Sequence, residues 1–220
     1  MTAAPIPESA VLRALSGWLV HGPFRIGQVR VAPLEGASVE LRHVEDAGED
    51  AAVLETSGDA GAARRIALHT AAGEYRALKG APDLRRGWRL VLPHHRDLEA
   101  ALEAFYPAAM ALWVARDQGR LRVVPLAETL GRQTGMYRYA RTISEAGAAA
   151  LTDRQCRQGC LRVPLWAGAG AVEGDGSRER VIPVWCPEAC SLYVAEARLV
   201  AKAEFEAKAH AGEGAGKDGA

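Results

Sequence analysis

An α+β fold is predicted by three features of the chain: amphipathic helical segments, alternating strand-like segments packed between them, and a mainly helical C-terminal part carrying all four cysteines. The 220 residues are 49% hydrophobic, enough to bury one core or two small ones. The pattern divides them into a small α/β domain at 1–124, a four-cysteine module at 125–210 and a tail at 211–220 of disordered composition. Lys+Arg and Asp+Glu both number 27, so no overall basic field draws the chain to nucleic acid or to an anionic membrane. The apolar stretches fall far short of the roughly 20 residues of a spanning helix, and Met1 to Glu8 has no basic-then-apolar leader. A cytoplasmic protein is expected.

The first helix is expected over Glu8 to Val20, with Val11, Leu12, Leu15, Trp18 and Leu19 on one face, Pro7 and Glu8 in the first turn and Gly22-Pro23 as its stop. Phe24 to Val31 and Ser38 to Val44 alternate like the two arms of a hairpin turning near Gly36. Asp46 to Gly61 reads as an acidic loop leading into a helix over Ala62 to Thr70, and Gly73 to Pro93 as loop and short strand. Arg96 to Ala115 has helical spacing broken at Tyr106-Pro107. Leu121 to Leu126 is a short strand candidate. Helices are expected over Glu128 to Arg141, over Ser144 to Leu151 with Ser144 as N-cap, and over Glu188 to His210; Gly168 to Arg180 is a Gly-rich loop.

All four cysteines fall within 35 residues: Cys156-x3-Cys160, 25 residues, then Cys186-x3-Cys190. On a helix or helical turn, residues four apart share a face, so each pair can present two sulfurs to one point. Three occupants compete. A disulfide pair is disfavoured in a reducing compartment and in a chain long enough to fold without staples. Zinc takes four thiolates tetrahedrally, most often through tighter knuckles, and x3 spacing does not exclude it. A 4Fe-4S cluster also takes four thiolates, spread around a larger core. Arg154, Arg157 and Arg162 flank the first pair and would offset the negative charge of such a centre. Cys190, in the opening turn of the last helix, would sit where free N–H groups favour an anion. Trp166 and Trp185 are expected to shield the site from water, and Ser191 and Tyr193 to pack near it.

The run Cys156-x3-Cys160-Leu161-Arg162, Leu165-Trp166, Cys186-Pro187-Glu188-Ala189-Cys190-Ser191-Leu192 and Ala197-Arg198 resembles the C-terminal 4Fe-4S module of some sirohydrochlorin cobaltochelatases of the cobalamin pathway. Upstream, Tyr75-Arg76 with Leu78, Ala81-Pro82 with Leu84, Gly87-Trp88, Tyr106-Pro107-Ala108 and Glu128-Thr129 through Arg132 to Tyr137 resemble the stabilising domain of the same proteins. The resemblance implies a stabilising domain at 1–124 and a cluster-binding domain at 125–210, with Cys156, Cys160, Cys186 and Cys190 as cluster and metal ligands. The chelatase domain that precedes these regions in longer relatives is not among the 220 residues, so chelatase activity is not carried over. The expectation is an accessory or electron-transfer protein working with a chelatase or redox partner protein; the alternative is a zinc-stabilised interaction module. No catalytic residues stand out. His94-His95 beside Asp97 reads as a helix start with Asp97 capping, and the Gly168-x-Gly170 and Gly174-x-Gly176 steps lack the strand–turn–helix context of a dinucleotide loop.

Overall fold

The computed structural model describes residues 9–76, 80–168 and 180–215, with side chains to residue 210. The α+β reading holds. Two compact units emerge: Met1–Leu121 with Val172–Trp185, and Arg122–Ala171 with Cys186–Ala220.

The first unit is a mixed sheet covered by helices. Its strands are β1 (Phe24–Ile26), β2 (Val29–Pro33), β3 (Val39–His43), β4 (Glu55–Ser57), β5 (Trp88–Leu92) and β7 (Arg180–Ile182), in the order β4-β5-β3-β2-β1-β7. The β1–β2, β2–β3 and β3–β5 pairs are antiparallel, whereas β4–β5 and β1–β7 are parallel. The expected two-armed hairpin is therefore three strands. Gly27, at φ +53°, turns the chain back after Ile26, and an added Cβ there would meet the Tyr106 ring at 2.6 Å. One sheet face is buried through Phe24, Ile26, Val29, Val31, Leu41, Trp88, Leu90 and Leu92, as alternation dictates for a half-covered sheet.

The other face holds a charge network. Glu40, nearly buried, accepts from Arg42 at 2.6 and 2.9 Å and pairs with Arg89. Burial raises the Glu40 carboxyl, but the hydrogen bonds and charge of the two arginines outweigh it and leave its pKa lowered.

The covering helices are α1 (Ala10–Val20), α2 (Ala60–Ala67), α3 (Leu98–Phe105) and α4 (Ala109–Asp117). Ser9 caps α1 by accepting from the Leu12 N–H, while the expected first-turn residues Pro7 and Glu8 lie outside the described residues. Asp59 caps α2 in the same way. The break at Tyr106-Pro107 separates α3 from α4 by a 108° bend, with Ala108 left-handed at φ +63°. Tyr106 is fully buried, and its hydroxyl accepts from the Gln28 N–H at 2.8 Å. Arg76, also buried, pairs with Asp83 at 2.9 Å and lies over the Tyr106 ring. Several residues of the stabilising-domain resemblance are thus core; Leu78 lies outside the described residues. Among the described residues no single helix is long and apolar enough to cross a membrane.

The second unit is mainly helical: α5 (Leu126–Gly131), α6 (Glu145–Thr152) and α7 (Ser191–Ala215), with a 3-10 segment over Gly135–Thr142. Its core is Leu130, Ala140, Leu151, Trp166, Ala189, Tyr193, Val194 and Ala197. Two expectations change here. Leu121 to Leu126 forms no strand: its Val124 N–H instead donates to Pro187 O at 2.9 Å. The helix expected over Glu128 to Arg141 ends at Gly131, and the chain re-enters a 3-10 helix after Gly135 at φ +55°. Ser144 caps α6 as expected and also bonds Glu204 of α7, its N–H at 2.9 Å and its hydroxyl at 2.5 Å. Helix α7 runs through Ala215; the rest of the expected tail, and all but the ends of the Gly168 to Arg180 loop, lie outside the described residues.

Candidate metal centre

Each cysteine stands where one element ends and another begins, rather than on a shared helical face. Cys156 lies in the π-helical turn Asp153–Gln158 that continues α6, and Cys160 follows two residues after that turn. The turn widens the backbone and is followed by Gly159, where a Cβ would crowd Gln155 O at 3.2 Å and Arg154 O at 3.3 Å. Cys186 closes β8 (Val184–Cys186), whose partner strand is β6 (Arg162–Pro164). Cys190 precedes α7, and its carbonyl accepts the Val194 N–H at 3.1 Å, so it is the cap rather than a residue of the first turn.

The loop between Cys186 and Cys190 is pinned from α5 and the segment before it. The Val124 N–H holds Pro187 O, Arg132 pairs with the Glu188 carboxylate, and the Thr129 hydroxyl reaches the same carboxylate at 3.5 Å. This anchoring fixes Cys186 and Cys190 without involving their sulfurs.

All four cysteines are free thiols, three partly buried and Cys190 exposed. Burial, followed by the nearby Cys186, Cys160 and Cys190 sulfurs, pushes the Cys156 thiol up to about 12, with Arg157 opposing. Burial likewise raises Cys186; the Trp166 indole and Arg162 pull it down while Cys190 and Cys160 push it up. The four sulfurs are therefore near enough to resist one another's ionisation. Among the described residues no three His, Cys, Asp or Glu side chains converge as the ligands of one ion would.

Two of the sulfurs make hydrogen bonds, one accepting and one donating. The Arg162 backbone N–H donates to Cys160 Sγ at 3.4 Å. Cys186 S–H donates to Glu188 O at 3.1 Å. Trp166 and Tyr193 meet edge to face at 4.8 Å in the core against which Cys156 and Cys186 pack, and the Trp166 Nε1 is buried without a hydrogen-bond partner.

Residues 118–199, which include all four cysteines, match the family described as a 4Fe-4S iron-sulfur cluster binding domain. The cofactor is a 4Fe-4S cluster. Residues 13–117 match the DR2241 stabilising domain. The chain is similar in structure to DR2241 from Deinococcus radiodurans, described as a multi-domain protein with structural similarity to chelatases and with two additional novel domains. The identity is 28% and the TM-score 0.72, covering 88% of this chain and 42% of that one. This chain thus spans less than half the length of that relative. No curated protein matches.

The residues present fit the cluster: four thiols, two of them packed against one core, and arginines that oppose the rise of two of the thiol pKa values. Several expected neighbours take other roles. The Tyr193 hydroxyl serves Ala148 O at 3.1 Å and Thr152 at 3.2 Å rather than a sulfur. Trp185 belongs to the first unit, under the Arg116 guanidinium at 4.4 Å. His94 precedes the 3-10 turn His95–Asp97, and Asp97 makes no capping hydrogen bond. Sequence reasoning did not find Gly159 or the Arg132–Glu188 anchor. Gly159 between two cysteines was a visible cue; the anchor depends on a contact that spacing does not encode.

Proposed function

We propose that Cys156, Cys160, Cys186 and Cys190 ligate the cluster, and that the chain is a cytoplasmic accessory or electron-transfer protein serving a chelatase in tetrapyrrole metallation of the cobalamin pathway. The observation that carries this reading is the gathering of four mutually repelling thiols, with a backbone N–H donating to one of them. The likeness to a chelatase-like multi-domain protein supports the metabolic setting.

When bound, the cluster supplies one-electron chemistry. The chain's own residues prepare the site. Thiols raised by burial keep their protons until iron replaces them, so loading releases protons. Arg157 and Arg162 offset the negative charge left behind, and Trp166 with Tyr193 fills the space behind the sulfurs. A partner surface is supported by a groove of about 600 Å³ between the 3-10 segment and α7, where Met136, Tyr139, Leu199 and Phe205 are exposed beside Arg198 and Lys202. Exposed apolar side chains rimmed by cations mark a contact site for an acidic, apolar-edged protein.

The test is a spectrophotometric assay of cobalt insertion into sirohydrochlorin, with and without the cognate chelatase and corrected for the spontaneous rate. The cluster-loaded chain alone should give no insertion, and it should raise the chelatase rate while the cluster-free chain does not. Insertion by the loaded chain alone would make it an enzyme in its own right and overturn the accessory reading.

A further inference from the structure

We propose that Arg198, in the groove between the 3-10 segment and α7, receives a carboxylate from an acidic, apolar-edged segment of the partner chelatase. The inference deepens the accessory reading above and rests on it.

Arg198 is half-buried, and among the described residues no carboxylate pairs with it. Its Nη1 donates to Met136 Sδ at 3.1 Å, its guanidinium lies 5.5 Å from the centre of the Tyr137 ring, and its Nε is buried without a hydrogen-bond partner. A thioether is a weak acceptor and a ring face offers no lone pair. Four other arginines that are half-buried or buried meet acids instead: Arg42 and Arg89 share Glu40, Arg76 pairs with Asp83 and Arg85 with Glu55. A guanidinium drawn partly out of water without its acid keeps an unmet demand for a planar, charged acceptor, and a carboxylate meets it best. Met136 and Tyr137 hold the side chain in place, so little of its freedom remains to be lost on binding.

The groove supplies the apolar half of the recognition. Of the nine large apolar side chains that stand exposed among the described residues, four line it, namely Met136, Tyr139, Leu199 and Phe205. Such gathering marks a contact site, where scatter would not. Met136 and Tyr139 are one 3-10 turn apart, and Arg198, Lys202 and Phe205 follow at i, i+4 and i+7 on α7, so two stripes border one trough. No carboxylate lines it: Glu204 is turned to Ser144, and Glu206 meets Lys202 at 3.6 Å from an exposed position. The occupant must therefore bring the acid. Cys190, Val194, Arg198 and Lys202 stand four apart in one row, so a segment held at Arg198 lies two helical turns, about 12 Å of rise, from the exposed Cys190.

The experiment titrates the cognate chelatase with the full-length, cluster-loaded chain by calorimetry. Wild type is compared with Arg198→Gln, Arg198→Lys, Phe205→Ala and, as control, Arg141→Gln, which removes an exposed cation of the 3-10 segment that does not line the groove. Arg198→Gln and Phe205→Ala should each weaken binding about tenfold or more, and Arg141→Gln by about twofold at most. Arg198→Lys, which keeps the charge without the planar fork, should fall between wild type and Arg198→Gln. Binding by Arg198→Gln equal to that of wild type, or an equal loss in Arg141→Gln, would overturn the proposal. Should Arg198→Gln fail to fold by circular dichroism, wild type decides: its Met136 13C-methyl resonance should shift on adding the chelatase, and an unshifted resonance would overturn it. Self-association of the chain alone, abolished by Phe205→Ala, would give the groove to a second copy and overturn it as well. A wild-type chain that binds no chelatase would instead overturn the accessory reading, and this inference with it.

Discussion

His43 illustrates how much of the protein's behaviour is decided by single side chains. It is almost wholly buried at the end of β3, its Nδ1 accepts the Glu45 N–H at 3.2 Å, and its Nε2 has no partner. The ring must therefore carry its proton on Nε2. A second proton would need Nδ1, which already faces a donor. Burial lowers the His43 pKa, although Asp46 and Glu45 pull the other way. Because the native state resists a proton that the unfolded state accepts, this stabilisation is full above the unfolded pKa of about 6.5 and is lost as pH falls below it. Unfolding measured between pH 7 and 5 should lose stability on acidification, and His43→Asn, whose amide oxygen can still accept from Glu45, should flatten that slope; an unchanged slope would rule His43 out as its source. At the same scale the spacing of the cysteines made a shared four-thiol site legible, and left its occupant open between a cluster and zinc. Trp166 was legible as a space-filler, and its edge-to-face contact with Tyr193 of α7 was not, because that contact joins residues distant in sequence.

Elements were legible where a period and a cap coincide. Helices α1 and α6 begin at Ser9 and Ser144 as their sequence dictates, and the Tyr106-Pro107 step divides α3 from α4 because proline disfavours helix in the residue before it. Elements that exist through distant partners were not. The β4 strand is too short to alternate visibly and forms by lying parallel to β5, while Leu121 to Leu126 has strand composition but spends its Val124 N–H on Pro187. The expectation that both cysteine pairs are helix-borne failed for a related reason: a π turn, a strand end and a helix cap place the sulfurs, and none has a composition of its own. The β7 strand gives this a measurable consequence. It adds to the β1 edge with Ile182 buried, and it comes from chain far beyond residue 124. A fragment of residues 1–124 should remain folded but lose ~2 kcal/mol or more from Ile182 alone, and should associate through the exposed β1 edge. Urea unfolding against the full chain checks this, and equal stability of fragment and chain would show that β7 contributes nothing to the sheet.

For the whole molecule, composition excluded an overall basic field and the cysteine spacing pointed to one centre, while the division of the chain did not follow a single cut in sequence. The first unit takes Val172–Trp185 back from between the cysteine pairs, so one stretch of chain serves both the sheet and the approach to Cys186. A linear reading cannot express such a return. The matches to a stabilising domain and to a cluster-binding domain agree with two units, one built on a sheet and the other carrying the four thiols. The central claim is that the four thiols hold a cluster rather than a single ion, and stoichiometry tests it most directly. Iron, acid-labile sulfide and zinc should be quantified together in anaerobically purified wild type and in Cys156→Ser, Cys160→Ser, Cys186→Ser and Cys190→Ser. The account predicts about four irons and four sulfides per wild-type chain with no stoichiometric zinc, and a sharp loss of both in every variant. One zinc per chain without sulfide, or a variant that keeps full iron and sulfide, would contradict it.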